Sequence, residues 1–168
     1  MQLQSSKNLS TINRYELMFV TVLGIGFIKY APGTFGSLAA LVFFIIPSEY
    51  KIISIILLVI LLFLSFVPIK KSETVYGNDP SIVIIDEFIA MGLVFSLPFL
   101  PENYIWCLIE FILFRIFDIF KPFPINLLDN KKGAFFVLAD DLLAALITVI
   151  ISLLLKFSLN LIALFSFI

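Results

Sequence analysis

The chain has 168 residues, 61% of them hydrophobic and only 14% charged, with 11 Lys and Arg against 12 Asp and Glu. Soluble domains run at about 45–50% apolar and about 25% charged residues. The composition therefore excludes a water-facing globular surface, and equally intrinsic disorder or a nucleic-acid-binding tail. What is left is a small integral membrane protein of one domain, residues 1–168. Histidine is absent, which removes Ser-His-Asp triads, phosphohistidine intermediates and histidine-built zinc sites. The single cysteine, Cys107, lies in an apolar run and has no disulfide partner within the chain. Any catalysis must use carboxylates, Lys, Arg, hydroxyls, backbone N–H groups or a metal held through oxygen.

Residues 1–16 are polar and mixed in charge. Leu17–Ile28 is apolar but too short for a bilayer core about 30 Å thick, which takes about 20 helical residues. It reads as a re-entrant or interfacial helix, and with no A-x-A site after it a cleaved signal peptide is not expected. Five crossings are predicted next. Phe35–Ile46 is closed by Pro47, and Ile52–Ile69 is uncharged. Lys70–Pro80 reads as a polar loop ending in the turn residues Gly77-Asn78-Asp79-Pro80. Ser81–Leu97 carries Asp86 and Glu87 and stops at Leu100-Pro101-Glu102-Asn103. Tyr104–Phe120 carries Glu110, Arg115 and Asp118 and stops at Lys121-Pro122-Phe123-Pro124. The last stretch, Phe135 to Ile168, holds Asp140 and Asp141 near its start and Lys156 inside, as one long helix or as a span with an interfacial tail. The fold class is an all-α polytopic membrane bundle of four to five membrane helices plus the short N-terminal helix.

With the crossings in this order, one side receives Lys7, Arg14, Lys29, Lys70, Lys71, Lys121, Lys131 and Lys132, and the other Lys51 alone. Short basic loops stay in the cytoplasm, so the first side is predicted to be cytoplasmic. That assignment also brings together acids that were not used to make it. Asp79, Asp86 and Glu87 begin the third crossing, Arg115, Asp118 and Lys121 end the fourth, and Asp140 and Asp141 begin the fifth. Gly33-Thr34-Phe35-Gly36-Ser37 opens the first crossing on the same side, and small residues with free N–H groups at a helix start suit an anion, although a helix cap in a tight packing contact explains them equally. At about 1.5 Å per residue, Asp86 is expected about 7–8 Å inside its helix, near the headgroups.

Charges at membrane depth cost about 2.5–3.5 kcal/mol each on insertion scales and default to functional hypotheses. Arg115 and Asp118 can neutralise each other at i, i+3. The remaining carboxylates still outnumber Arg115 and Lys121, and hard oxygen ligands of this kind favour Mg²⁺. Adjacent residues point about 100° apart on a helix, so one of Asp86/Glu87 and one of Asp140/Asp141 is expected to face the site while the other orients it or meets a neighbouring helix. On the fourth crossing Asp118 lies about 60° from both Arg115 and Lys121, a stripe that offers a carboxylate to a metal and two cations to phosphate. Glu110 lies off that stripe and reads as a packing or pore-facing group. Trp106 and Tyr104 read as an interfacial belt, Lys131 and Lys132 as facing solvent or anionic headgroups, and Lys156 as snorkelling or breaking its helix.

The segments Ala31–Ala40, Asp79–Met91, Phe114–Ile125 and Asp140–Ala145, covering about residues 24–150 in order, resemble the phosphatidylglycerophosphatase A family of bacterial membrane phosphatases. Arg-x-x-Asp-x-x-Lys-Pro-x-Pro followed by Asp-Asp is the specific part of the match. The chain departs from the family pattern at Ala90, at Ala144-Ala145, in having Gly133 alone before the acidic pair, and in lacking histidine. The resemblance implies a Mg²⁺-dependent enzyme that removes the terminal phosphate of phosphatidylglycerophosphate to give phosphatidylglycerol, in the bacterial inner membrane with its site facing the cytoplasm. It maps catalytic roles onto Asp86, Glu87, Asp118, Asp140 and Asp141. Metal binding is expected at Asp86, Glu87, Asp118 and Asp141, and phosphate binding at Arg115 and Lys121 with Gly33, Thr34, Gly36 and Ser37. Partners are then the lipid substrate and membrane lipids, with no nucleic acid. The competing reading is a small transporter or channel subunit whose intramembrane acids line an ion path.

Overall fold

The computed structural model describes residues 11–100 and 103–165, so Lys7, the breaker Pro101-Glu102 and the end of the last stretch, residues 166–168, lie outside the described residues. Every regular element among the described residues is helical. In chain order these are α1 (Arg14–Val20), α2 (Pro32–Ala39), α3 (Val42–Ile45), α4 (Lys51–Tyr76), α5 (Ile85–Ser96), α6 (Tyr104–Phe120), α7 (Asn126–Asp129) and α8 (Ala134–Phe165), with single 3₁₀ turns at Ile25–Phe27 and Ser48–Tyr50.

The N-terminal apolar segment does not continue as one helix. Asn13 caps α1 reciprocally: its side chain accepts the Glu16 N–H at 2.8 Å, and Glu16 accepts the Asn13 N–H at 2.9 Å. Glu16 also pairs with Lys71 of α4 at 2.6 Å. The chain then reverses through Val22, Leu23 and Gly24, all at positive φ. Both sides of this reversal clasp the approach to α5: the Ile84 N–H donates to the Val20 carbonyl at the end of α1 at 2.9 Å, and Gly26 on the return leg lies so close to the Ile82 carbonyl that a Cβ there has no room.

The first predicted crossing is divided. α2 and α3 are separated at Ala40-Leu41, where the amides of Leu41 and Phe43 bond three residues back and not four. The pair covers Pro32–Ile45, about 21 Å of helix, short of the bilayer core. The second predicted crossing is longer than expected, because the polar segment Lys70–Tyr76 continues α4 instead of forming a loop. α5 starts four residues later than expected. Ser81–Ile84 is a turn, which puts Asp86 and Glu87 in the first turn of the helix and not about 7–8 Å inside it. α6 matches its predicted bounds, with Asn103 accepting the Ile105 and Trp106 N–H groups at its start and Lys121 in the left-handed conformation at its end. α8 is one continuous helix through Lys156.

α5 is the central element, packed against α2, α3, α4, α6 and α8. Its Ile89, Ala90, Met91, Val94 and Phe95 are buried, and Gly92 lets it approach α3 and α4: a Cβ at Gly92 would lie 3.0 Å from both Leu58 and Phe43. Small residues at such contacts let helices close on one another where lipid gives no hydrophobic drive. α4 and α8 are long and apolar enough to cross a membrane, and only 22% of the most apolar 18-residue window of each is buried. They are therefore not core helices of a water-soluble fold. Ile52, Ile56, Phe63, Leu154 and Phe157 face outward, a surface stable in lipid and not in water.

Elements joined by successive turns run in opposite directions, so the start of α2, the end of α4, the start of α5, the end of α6 and the start of α8 share one end of the bundle. At the other end, Lys51 at the start of α4 donates to the carbonyl of Phe95 near the end of α5, and Tyr104 at the start of α6 packs edge-on against Phe44 of α3. Lys156 lies 3.3 Å from the Phe99 carbonyl and over the Trp106 ring.

Candidate active site

At the shared end a cavity of about 280 Å³ is lined by Ala31, Pro32, Gly33, Asp79, Ser81, Val83, Asp86, Glu87, Arg115, Asp118, Lys121, Val137, Asp140 and Asp141. All five predicted catalytic carboxylates and both predicted cations therefore face one space. Both members of each adjacent acidic pair line it, where one was expected to face it directly and the other to orient it or meet a neighbouring helix; Asp140 takes the orienting part by holding Lys121. Asp86 and Asp141 are buried, and Glu87 is half-buried beneath Gly33. A ligand oxygen from each of Asp86, Glu87 and Asp141 lies within 4.8 Å of the others.

Gly33 explains how Glu87 fits. A Cβ on Gly33 would fall on Glu87 Oε1, 3.1 Å from its Cδ and 3.5 Å from Arg115 Nη1. The glycine of the Pro-Gly-Thr segment thus makes room for a carboxylate. The rest of that segment does not reach the cavity as expected: Thr34, Gly36 and Ser37 are absent from its lining. Gly36 instead packs on Ile84, where a Cβ would meet the Ile84 carbonyl at 3.1 Å. Ser37 is buried, donates to the Gly33 carbonyl at 3.0 Å, and accepts from Arg115 Nη1 at 3.2 Å. The same Nη1 donates to Asp118 Oδ2 at 2.5 Å, so Ser37 and Asp118 together aim the guanidinium.

Lys121 is held from two elements. It donates to Asp129 of α7 at 2.6 Å and to Asp140 of α8. Burial works against its charged form, but the hydrogen bonds it donates to Asp129 and Asp140 outweigh burial and hold its pKa above the ordinary lysine value. Three residues lining the cavity, Ala31, Asp79 and Lys121, have left-handed backbones with φ of 48°, 47° and 41° although none is glycine. Such conformations cost on the order of 1 kcal/mol each and concentrate at functional sites. Asp79 and Ser81 line the cavity without being among the assigned site residues. Asp79 is legible in the sequence as one of the acids gathered at this end, whereas Ser81 carries no signal beyond the turn it follows.

Several buried oxygens and one nitrogen around the cavity have no hydrogen-bond partner among the described residues: Asp86 Oδ1, Glu87 Oε2, Asp140 Oδ1 and Arg115 Nε. Unpartnered buried acceptors facing one another, beside an unpartnered guanidinium nitrogen, are the pattern left when a cation and an anion complete a site. The three grouped carboxylates thus fit a metal ion; Asp118, engaged by Arg115, is not in that group. Glu110 is fully buried away from the cavity, in keeping with a packing role.

Comparison with known proteins agrees with this geometry. Residues 18–156 match the family described as Phosphatidylglycerophosphatase A. A Bacteroides thetaiotaomicron protein named "Putative phosphatidylinositol-3-phosphatase" is 36% identical over 78% of this chain and 87% of its own length. Proteins named Phosphatidylglycerophosphatase A from Haemophilus influenzae and Escherichia coli are 35% and 29% identical, each over 86% of this chain and over 90% and 84% of their own lengths. No solved structure shows significant similarity. A family match across most of the chain, falling on the residues that line the cavity, leads to one conclusion: the chain belongs to the phosphatidylglycerophosphatase A family and is an enzyme, a phosphatase.

Proposed function

We propose that the chain hydrolyses the terminal phosphate of phosphatidylglycerophosphate to give phosphatidylglycerol, with Mg²⁺ as cofactor, as a multi-pass protein of the bacterial inner membrane whose site faces the cytoplasm. The observation that carries this is the convergence of five carboxylates, Arg115 and Lys121 on one cavity at one end of a bundle with an apolar exterior. Lys70 and Lys71 near the end of α4 and Lys131 and Lys132 just before α8 gather at that same end, which supports a cytoplasmic face by the positive-inside rule. The reading that the acids line an ion path gains nothing from the fold, since they collect at one end and not along the bundle.

Asp86, Glu87 and Asp141 would hold the ion, which when bound would supply positive charge to offset the negative charge on the transferred phosphoryl group. Arg115 and Lys121 grip the phosphate oxygens from two sides, and this electrostatic hold is the main contribution to phosphoryl transfer. Asp118 and Ser37 set the angle of Arg115. Asp140 uses one oxygen to steady Lys121, and its other, the unpartnered Oδ1, is the acceptor for the proton of an attacking water. Water oxygen bonds to phosphorus as the P–O ester bond breaks, and the departing glycerol oxygen takes the proton that Asp140 received, leaving the alcohol and inorganic phosphate. Trapping of a covalent phosphoenzyme would refute this direct attack and favour an aspartyl-phosphate.

The test is phosphate release by the purified protein in mixed micelles of detergent and phosphatidylglycerophosphate, with EDTA or Mg²⁺, beside Asp141→Asn. Phosphatidic acid and phosphatidylinositol 3-phosphate serve as alternative substrates, the latter because one relative is named for it. Mg²⁺-dependent release that is lost in the variant, with unchanged thermal unfolding, is expected. No release from any of the three lipids by folded protein would overturn the reading.

A further inference from the structure

A second cavity opens on the outside of the bundle between α4 and α8. Its volume is about 610 Å³, its walls are Phe66, Val67, Phe135 and Phe136, and Lys70 and Lys132 stand at its mouth. It is not isolated from the active site. The mouth, still edged by Lys70 and Lys132, extends to Asn78, and Asn78 also lines a small cleft bounded by Asp79, Val137 and Asp140. Those last three residues line the catalytic cavity as well. Neighbouring clefts that share lining residues therefore lie side by side from the carboxylates to an aromatic groove on the outside of the bundle.

The cations along this run are not equivalent. Lys71 is paired with Glu16 at 2.6 Å, Lys121 is held by Asp129 and Asp140, and Lys131 lies over the Phe136 ring. Lys70 and Lys132 are exposed on opposite edges of the mouth, one from α4 and one from the turn before α8. Glu73 of α4 lines the same mouth, so the rim carries two lysines against one acid; this net positive edge over an apolar groove complements a phospholipid, with an acyl chain in the groove and an anionic phosphodiester between the two ammonium groups.

Resting on the phosphatase reading above, we propose that the α4–α8 groove seats an acyl chain of the substrate and that Lys70 and Lys132 bind its phosphodiester. The glycerol beyond that diester then carries the terminal phosphate through the cleft at Asn78 to Arg115 and Lys121. This would make the two lysines specificity-determining residues. A lipid with two phosphates separated by a glycerol satisfies both basic sites at once. Phosphatidic acid, with one phosphate directly on the diacylglycerol, satisfies only one at a time.

The experiment compares wild type, the double variant Lys70→Gln/Lys132→Gln and the groove-filling variant Val67→Trp on phosphatidylglycerophosphate and phosphatidic acid in mixed micelles. The double variant is expected to lower kcat/KM for the two-phosphate lipid about tenfold more than for phosphatidic acid, mainly through KM, the scale of losing partly screened ion pairs. Val67→Trp is expected to raise KM for both lipids. An unchanged ratio in the double variant, or unchanged KM in Val67→Trp, overturns the proposal while leaving the phosphatase reading intact. If folded wild type hydrolyses neither lipid, the phosphatase reading fails instead, and the groove is judged by native mass spectrometry of added phosphatidylglycerophosphate. Retention by wild type and loss in the double variant supports the groove; equal retention, or none by wild type, overturns it.

Discussion

Replacing Gly33 by alanine tests the architecture of the site with one methyl group. A Cβ at this position falls on Glu87 Oε1 far inside 3.0 Å, a separation that real Cβ atoms essentially never show, and stands 3.5 Å from Arg115 Nη1. To restore ordinary contact the carboxylate must retreat on the order of 1 Å, away from Asp86 and Asp141. A misplacement of about 1 Å at a reacting centre costs about 100-fold in rate, or about 2.7 kcal/mol of transition-state stabilisation. The fold should not suffer, because Ala is preferred to Gly within a helix by about 0.8–1.0 kcal/mol. Gly33→Ala is therefore expected to lower kcat/KM for Mg²⁺-dependent phosphate release about 100-fold with an unchanged or higher Tm in detergent. Adding Glu87→Asp, which shortens the side chain by one methylene, should recover part of the loss. Wild-type kcat/KM in Gly33→Ala, or a loss of activity that merely follows a fall in Tm, would refute the argument that this glycine exists to admit Glu87.

Four further outcomes are expected. Ala31→Gly, which relieves a left-handed alanine at φ 48°, should stabilise the protein by about 1 kcal/mol, read as a rise in Tm. Glu110 is fully buried with neither oxygen hydrogen-bonded among the described residues. Glu110→Gln removes an ionisable group without breaking a hydrogen bond, so thermal unfolding should stay at or above the wild-type temperature while kcat is unchanged. Gly92→Val pushes branches into Leu58 and Phe43, already 3.0 Å from a bare Cβ, and should destabilise by about 1–3 kcal/mol. For pH, Lys121 has its folded pKa raised by Asp129 and Asp140, so its contribution is complete below the unfolded value of about 10.4 and is lost only as pH rises through the higher folded one. Asp129→Asn keeps an acceptor but removes a negative charge beside Lys121, and should move the alkaline fall of kcat/KM to lower pH; coincident alkaline limbs would contradict it.

The sequence carried the chemistry of the site better than its carpentry. The bounds of α6 are legible because Asn103 supplies a cap and Lys121-Pro122 a stop, both local signals. The end of α4 is not, since a reading built on hydropathy halts at Lys70 whereas backbone hydrogen bonding continues to Tyr76. The start of α5 was misplaced for the opposite reason: Ser81–Ile84 is as apolar as a helix, and the bond from the Ile84 amide to the Val20 carbonyl, which helps fix it as a turn, joins residues far apart in sequence. The break at Ala40-Leu41 has no Gly or Pro to announce it. The Gly33–Ser37 segment is legible both as an anion cradle and as a tight packing contact, and the sequence does not choose between them. Its residue types suit an anion cradle, yet tertiary packing uses Gly33 as space, Gly36 as a contact and Ser37 as a hydrogen-bond partner for Arg115. Convergence of the acids followed from alternating direction and charge bias alone. That both members of each acidic pair reach one cavity required the positions of α2 and α8.

The clasp made by the residues between α1 and α2 sets a boundary for anyone who trims or labels this protein. Because the Val20 carbonyl and Gly26 hold the turn from which Asp86 and Glu87 emerge, the stretch from Asn13 to Phe27 is a remote foundation of the site rather than a leader preceding it. A reporter fused ahead of Asn13 leaves that foundation in place. Truncation beyond Asn13 removes the cap of α1 and then the clasp, and is expected to silence the enzyme although every residue lining the cavity is still present.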